Sequence, residues 1–387
     1  MKILVVTTAF PRWPGDGHGS FIWEAVRAVA QQGVQMSVIA THSPGAATHE
    51  RIEGVEIWRP RYWWPERMEV LRKEAAGLPV IWRKYPLARL QIVPFAAIYA
   101  LATARMVRSA DLIHAHWTIP AANALLARAL YRRPLLVTVH GSDIDLVTAN
   151  PAGAWLTRRV LRRCDRVMAV SRHLAGATAA LGVPAGRINV IPEPVDSGLF
   201  APAAPEGRAP LLVFAGSLVP RKGVTYLLQA MPPILRAFPD YRLVIVGDGS
   251  QRAELERQAQ NLALGQGVTF TGALSQSDVR QWMQRARLLV LPSIEEGLGV
   301  VLLEALACGT PVVASRVGGI PDIVTPAVGR LVAPGDPGQL AEAVCALLGD
   351  PPAWAEMSGR ARERIVAEYD SERIAGRHIA LYRSMLA

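Results

Sequence analysis

The chain has 387 residues, 51% hydrophobic and 19% charged, enough apolar material for two or three domains and too little charge for a disordered or acidic solvating chain. Its 32 Gly and 29 Pro follow no period, and three widely separated cysteines (Cys164, Cys308, Cys345) exclude a disulfide framework or a Cys-based zinc site and fit a reducing compartment. The net charge of +10 lies wholly in residues 1–200, where 24 Lys and Arg face 14 Asp and Glu, so that half suits phosphates, nucleic acid or anionic lipid headgroups.

MKILVVTTAF opens the chain with one Lys, a short apolar run and no small-residue cleavage site, and reads as a buried first strand rather than a signal peptide. Short apolar runs then alternate with helical patterns, the mark of a parallel sheet covered on both faces. Strands are predicted at Ile3–Thr8, Met36–Ala40, Leu112–His116, Leu135–Val139, Arg166–Val170 and Asn189–Ile191. Helices are predicted near Gly19–Gln32, Phe95–Ser109, Ala121–Tyr131, Ala154–Arg163 and Arg172–Leu181. The longest uncharged apolar stretch, Leu90 to Ala104, contains Gln91 and Pro94 and falls short of the roughly 20 residues of a membrane span. A soluble or peripheral, cytoplasmic protein is expected.

Residues 197–210 (SGLFAPAAPEGRAP) lack periodicity and read as a linker, after which the pattern restarts. Strands are predicted at Leu211–Ala215, Arg242–Gly247, Val268–Thr271, Leu288–Leu291 and Val312–Ser315. Helices are predicted at Val224–Phe238, Gln251–Asn261, Ser277–Arg285, Gly299–Ala307, Pro337–Leu348 and Ala353–Glu368. A last amphipathic helix, Ser371–Leu386, carries Ile374, His378, Leu381, Tyr382 and Met385 at helical spacing for docking on a core. The expected architecture is α/β, two doubly wound Rossmann-like domains facing across a cleft. One comprises residues 1–196 with 371–387, the other residues 211–370, and 197–210 is the hinge. Ligands of open parallel sheets bind at the strands' carboxyl ends.

The most informative segment is PSIEEGLGVVLLEALACGTPVV, residues 292–313. Gly297 and Gly299 precede a run at helical spacing, so free backbone N–H groups and the positive dipole end form an anion site there. Glu296 lies just before that site and Glu304 eight positions on. Two carboxylates flanking a phosphate cradle suit a ligand with hydroxyls on both sides of its phosphates, the shape of a nucleotide-sugar.

This segment resembles the Glu-x7-Glu signature of the family 4 retaining glycosyltransferases of GT-B fold, matching Glu296 and Glu304 with Gly297, Gly299, Cys308, Gly309 and Pro311. TTAFPRWPGDGHGSFI, DLIHAHW, VTVHGSD, PEPVDSGLF, AGSLVPRKGV and VGGIPDIV with GRLVAPGDP resemble the family's other segments, in its order. The resemblance implies that Glu304 holds the donor ribose and Glu296 the transferred sugar. It also implies that Lys222 neutralises the leaving diphosphate, that the amides around Gly297, Leu298 and Gly299 hold sugar or phosphate oxygens, and that His140 sits beside the reacting sugar. Gly216, Ser217 and Arg221 fall on the donor side, and Gly17, Gly19, His116 and Asp143 on the acceptor side. Many relatives carry Arg where this chain has Ser217, so this chain either uses Arg221 as the second cation or manages with one. The implied partners are a UDP- or GDP-sugar and a glycan or lipid-linked acceptor, with no nucleic acid and no cofactor beyond the nucleotide-sugar co-substrate.

Other patterns weigh less. Asp143–Ile144–Asp145 matches the Asp-x-Asp of metal-dependent glycosyltransferases, but Asp is expected after His140–Gly141–Ser142 as a turn or cap residue, so no metal is expected. Gly247–Asp248–Gly249 is half a dinucleotide fingerprint and needs only turn chemistry. His114 and His116, on one strand, are expected on opposite sides of the sheet, one lining the cleft and one structural. Residues 57–95 interleave Trp58, Trp63, Trp64 and Trp82 with eight Arg and Lys, a composition for nucleic-acid stacking, a membrane surface or a solvated face, of which the membrane surface is expected. A nucleotide-sugar epimerase, a glycan phosphorylase and a non-catalytic basic scaffold are the competing readings.

Overall fold

The computed structural model describes residues 1–13, 15–71, 85–142, 144, 151–203 and 208–387. The chain divides into two compact units, Met1–Pro192 with Ile374–Ala387, and Glu193–Arg373.

The first unit holds an eight-stranded sheet. In chain order its strands are β1 (Lys2–Val6), β2 (Gln35–Ile39), β3 (His49–Ile52), β4 (Val55–Trp58), β5 (Leu112–His116), β6 (Leu135–Val139), β7 (Arg166–Ala169) and β8 (Ile188–Val190). Their spatial order is β3-β4-β2-β1-β5-β6-β7-β8, parallel except for β3 against β4. The helices are α1 (Ser20–Gln31), α2 (Ala88–Val107), α3 (Thr118–Tyr131), α4 (Pro151–Leu161) and α5 (Arg172–Ala180). Central strands such as LLVTV of β6 are buried along their whole length, which is why they read as unbroken apolar runs. Right-handed crossovers put α1 on one face, and α2, α3 and α4 on the other. The C-terminal helix, Ser371–Leu386, joins the α1 face, packing Ile374, Ile379 and Tyr382 with Ile22, Val26 and Val29.

Two features differ from expectation. The antiparallel β3–β4 hairpin is absent from the strand pattern because HERI is a polar edge strand with no buried residue. Helix α2 begins seven residues before the predicted Phe95, since Pro94 removes one intrahelical bond without stopping the helix. At 20 residues α2 is long and apolar enough to cross a membrane, and only 22% of its most apolar window is buried. It is nonetheless tied to the sheet: the buried Tyr99 hydroxyl donates to Thr7 O at 2.5 Å, and Gln91 exchanges bonds with the backbone of Met68 and Val70.

The second unit holds a fully parallel six-stranded sheet in the order β11-β10-β9-β12-β13-β14. Its strands are β9 (Leu211–Ala215), β10 (Arg242–Val246), β11 (Val268–Gly272), β12 (Leu288–Leu291), β13 (Val312–Ser315) and β14 (Gly329–Val332), the last unpredicted because four residues opened by Gly carry little pattern. The helices are α6 (Val224–Ala237), α7 (Arg252–Asn261), α8 (Gln276–Arg285), α9 (Val300–Ala307), α10 (Ile320–Ile323), α11 (Pro337–Leu348) and α12 (Pro351–Glu368).

Residues 197–210 do not mark the boundary between the units. The chain passes between them at Pro192/Glu193 and Arg373/Ile374, and the described part of the expected linker is bonded into the second unit. Ser197 Oγ donates to Asp370, Arg280 donates to Leu199 O, and Gln284 donates to Ala201 O. Arg208 is caged by four carbonyls and Thr310 Oγ1. Composition marks irregular backbone, but these bonds decide which unit holds it.

Candidate active site

In the second unit, residues Pro220–Lys222 make one tight turn after β9, closed by Gly223 at φ 65°. A Cβ on Gly223 would lie 2.1 Å from Pro292 O, so only glycine lets this turn press on the loop that follows β12. The Arg221 carbonyl then accepts the N–H groups of Ile294 and Glu295, at 2.8 and 3.3 Å. This clamp brings Lys222 Nζ to 2.5 Å from Glu296 Oε2, which also accepts from Ser293 Oγ at 3.3 Å. Lys222 and Glu296 are largely shielded, at 13% and 10% side-chain exposure. From the other side, Gly318 lies so close that a Cβ there would meet Glu296 O at 1.7 Å, and Gly319 N donates to that oxygen.

Gly297, the buried Leu298 and Gly299 lead into α9, with Gly299 left-handed at φ 90°, and the first amides of α9 are free of intrahelical partners. Glu304 follows inside α9, where burial pushes its pKa up to about 7, opposed by a hydrogen bond with Gln276 at the start of α8. Lys222, Glu296 and the amides that open α9 thus meet beside one loop, with Glu304 farther along α9. Gly216 lies next to the Lys222 stem. Ser217 and Arg221 are exposed, and Arg221 serves the site through its carbonyl; its guanidinium is in no ion pair among the described residues.

In the first unit, β5 and β6 run side by side and end at His116 and Val139, so His140 emerges beside His116. His116 Nδ1 lies 3.0 Å from His140 Nε2, and the two rings stack at 5.2 Å. Phe21, in the first turn of α1, and Trp117 complete the surround, with ring centroids 5.3 and 4.5 Å from His140. Gly19, at φ 72°, starts α1, and Gly17 is exposed in a loop closed by Asp16, which accepts from Arg12 and from His18 N. Asp143 and Asp145 lie outside the described residues. Among the described residues no three His, Cys, Asp or Glu side chains are grouped to hold a metal.

The expectation that His114 and His116 face opposite sides is wrong. Residues two apart on a strand share a side, and their rings lie 4.5 Å apart. Burial and neighbouring histidines hold both pKa values well below normal, so both are neutral. His114 Nδ1 is hydrogen-bonded to the Tyr382 hydroxyl at 2.8 Å and Nε2 to Thr138 Oγ1 at 2.6 Å, which ties the C-terminal helix to the sheet.

Trp117 escaped the sequence reading, although its segment did not. It sits at φ 68°, ψ 161°, a region that costs a residue with a side chain of order 1–3 kcal/mol. The expected basic–aromatic face of residues 57–95 does not include Arg59, which is buried on Glu50 and two carbonyls, while Arg61 is exposed and pairs with Glu66. Trp58 stacks on His49, Trp63 packs on a small apolar cluster, and Trp64 is 80% exposed; residues 72–84 of that stretch lie outside the described residues. A cavity of about 990 Å³ opens near Lys2 and Gln35, at the amino ends of β1 and β2, the opposite end from His140.

Residues 199–364 match the family model for glycosyl transferases group 1, and residues 15–199 match that for Glycosyltransferase Family 4. The chain is 30% identical over 401 residues to a 2-deoxystreptamine glucosyltransferase of Streptomyces kanamyceticus, covering 93% of this chain and 97% of that one. The chain belongs to glycosyltransferase family 4. It is also 30% identical over 295 residues to a GDP-mannose-dependent monoacylated alpha-(1-6)-phosphatidylinositol monomannoside mannosyltransferase of Corynebacterium glutamicum, covering 70% and 77% of the two chains. Its fold matches sucrose-phosphate synthase from Thermosynechococcus elongatus with a TM-score of 0.81 and 23% identity, over 99% and 98% of the chains. This family 4 glycosyltransferase therefore has the GT-B fold of two Rossmann-like domains, and transfers a sugar from a nucleotide-sugar donor to an acceptor.

Proposed function

We propose that the enzyme retains the anomeric configuration, works without a metal ion, and moves a sugar from UDP or GDP to a hydroxyl of a lipid-linked or cell-envelope glycan, as a peripheral enzyme of the cytoplasmic membrane face. The observation that carries this reading is the Lys222–Glu296 pair beside the amides that open α9. Breaking a sugar–phosphate bond leaves negative charge on the diphosphate, and a preorganised ammonium and helix dipole stabilise it in a shielded site. Arrival of the diphosphate gives Lys222 a new partner and releases Glu296 to the hydroxyls of the transferred sugar. Glu304 accepts from the ribose hydroxyls, and Gly216 and Ser217 border the phosphates. On the acceptor side, His140 is assigned to the reacting sugar, and His116, Gly17 and Gly19 to the incoming hydroxyl.

With Glu296 assigned to the sugar hydroxyls, no carboxylate is assigned as the nucleophile. The acceptor oxygen attacks on the face from which the diphosphate departs. The anomeric carbon–phosphate oxygen bond breaks, the new glycosidic bond forms, and the acceptor proton passes to the departing phosphate oxygen. The corynebacterial relative is described as GDP-mannose-dependent with a phosphatidylinositol mannoside acceptor, which supports the GDP-sugar and lipid-linked choices. Nucleoside diphosphate release, measured over a donor panel with lipid-linked and soluble acceptors in excess chelator, tests the proposal. Retained anomeric configuration by NMR is the expected result. Inversion, a trapped glycosyl-carboxylate or loss of turnover in chelator overturns it.

A further inference from the structure

The chain's excess positive charge and its exposed apolar side chains converge on one surface of the first unit. Helices α2, α3 and α4 lie on the same face of the sheet, with α2 packed along α3 and α3 along α4. Their outward sides present Leu90, Val93 and Leu101 from α2, Leu126 and Leu130 from α3, and Trp155 from α4, each between 61% and 74% exposed. Single exposed leucines are ordinary, but a band of them across three adjoining helices is a contact surface. The same elements carry the charge. Residues 87–133 and 151–163 contain ten Arg and a single acid, Asp111, whose carboxylate is bonded to Lys2 N. Among the described residues only Arg128 of those ten has a carboxylate partner, Asp165.

The arginines gather at the carboxyl ends of the helices. Helix α2 closes with Arg105 and Arg108, α3 with Arg128 and then Arg132 and Arg133, and α4 with Arg158, Arg159 and then Arg162 and Arg163. One cation per helix end satisfies the dipole; two to four at each of three ends make a basic row beside an apolar band.

We infer that this three-helix face seats the enzyme on an anionic lipid bilayer, with the arginines on headgroup phosphates and the leucines and Trp155 at the headgroup–acyl boundary. The inference rests on the peripheral reading above and names the surface that serves it. Charge complementarity selects the occupant. A second copy across a two-fold axis would set arginine against arginine, and a nucleic acid would meet Leu and Val, which neither stack on bases nor bond to them. Phosphate-rich headgroups over acyl chains satisfy both halves of the surface.

The test uses the full chain with vesicles of phosphatidylcholine containing 30% phosphatidylglycerol, or of phosphatidylcholine alone. Wild type is expected to co-sediment with the anionic vesicles and to bind neutral ones at least tenfold more weakly. The variant R132S/R158S/R159S/R162S should lose at least tenfold in affinity for anionic vesicles. The variant L90S/V93S/L101S/L126S/L130S should bind at 50 mM salt but be released at 300 mM. Both should turn over a soluble acceptor at the wild-type rate, which shows that they are folded. Wild-type-like vesicle binding by both variants overturns this surface while leaving the peripheral reading intact. No binding by the wild type overturns both, and a wild-type dimer that the leucine variant dissociates, without vesicle binding, assigns the face to self-association instead.

Discussion

Glu304 is held near its titration point at neutral pH, because burial drives its pKa up to about 7 and only Gln276 opposes the shift. A carboxylate accepts ribose hydroxyls, whereas the protonated acid offers a competing donor. The KM for the nucleotide-sugar should therefore rise as pH falls through 7, by roughly tenfold per unit at most. Glu304→Gln should show a raised and pH-independent KM between pH 6 and 8, measured at saturating acceptor; a wild-type profile in this variant would remove Glu304 from the donor site. Trp117 makes a second case. Its φ of 68° and ψ of 161° would suit glycine, yet its indole packs 4.5 Å from the His140 ring. Trp117→Gly relieves about 1–3 kcal/mol of backbone strain while giving up ring packing of similar size. The melting temperature should thus move by only a few degrees, while kcat falls tenfold or more. A large loss of stability with unchanged kcat would make Trp117 structural.

Elements show where the amino-acid order was sufficient and where it was not. The loops after β6, β9 and β12 that carry His140, Lys222 and Glu296 were legible as strand ends, and Glu304 as a position inside the next helix, whereas the roles assigned to them come from the family resemblance. Most strands of both sheets followed from apolar runs, β14 excepted. The β3–β4 hairpin did not, since HERI lies at the sheet edge and carries no burial signal. The strain at Trp117 is a backbone property, and no pattern of residue types encodes it. Membership of residues 197–210 was also illegible, because it depends on side-chain bonds to residues distant in the chain, most of them made by Arg208. Arg208 donates from Nη1 to Met283 O, Ala286 O and Thr310 Oγ1, and from Nη2 to Cys308 O and Gly309 O. Burial lowers its pKa only to about 10, so the guanidinium stays charged. Arg208→Ala leaves these carbonyls without the cation and should destabilise the second unit by on the order of 3 kcal/mol. Lys cannot reproduce the planar fork, so Arg208→Lys should recover less than half of that loss, read as the midpoint of urea unfolding.

Across the whole molecule, the two units carry buried titratable groups whose pH dependences have opposite signs. In the first unit, burial depresses His114, His116 and His378, the last to about 4. The unfolded chain takes up these protons near pH 6.5 and the folded unit does not, so stability is full above 6.5 and declines as pH falls toward the folded pKa. At pH 5 the loss reaches about 2 kcal/mol for a histidine such as His378. In the second unit, Glu304 is raised from 4.5 to about 7, so its contribution is full below 4.5 and declines as pH rises through 7. Lowering pH from 7 to 5 should therefore move the melting of the first unit down while the Glu304 contribution to the second unit rises. Differential scanning calorimetry at the two pH values should show the first unit's transition moving down relative to the second's. His378→Phe, which replaces a buried imidazole whose Nε2 has no hydrogen-bond partner among the described residues, should reduce the acid shift of the first unit's transition only. Glu304→Gln should reduce the pH response of the second unit's transition only, and a single transition moved equally by both substitutions would mean that the units melt as one.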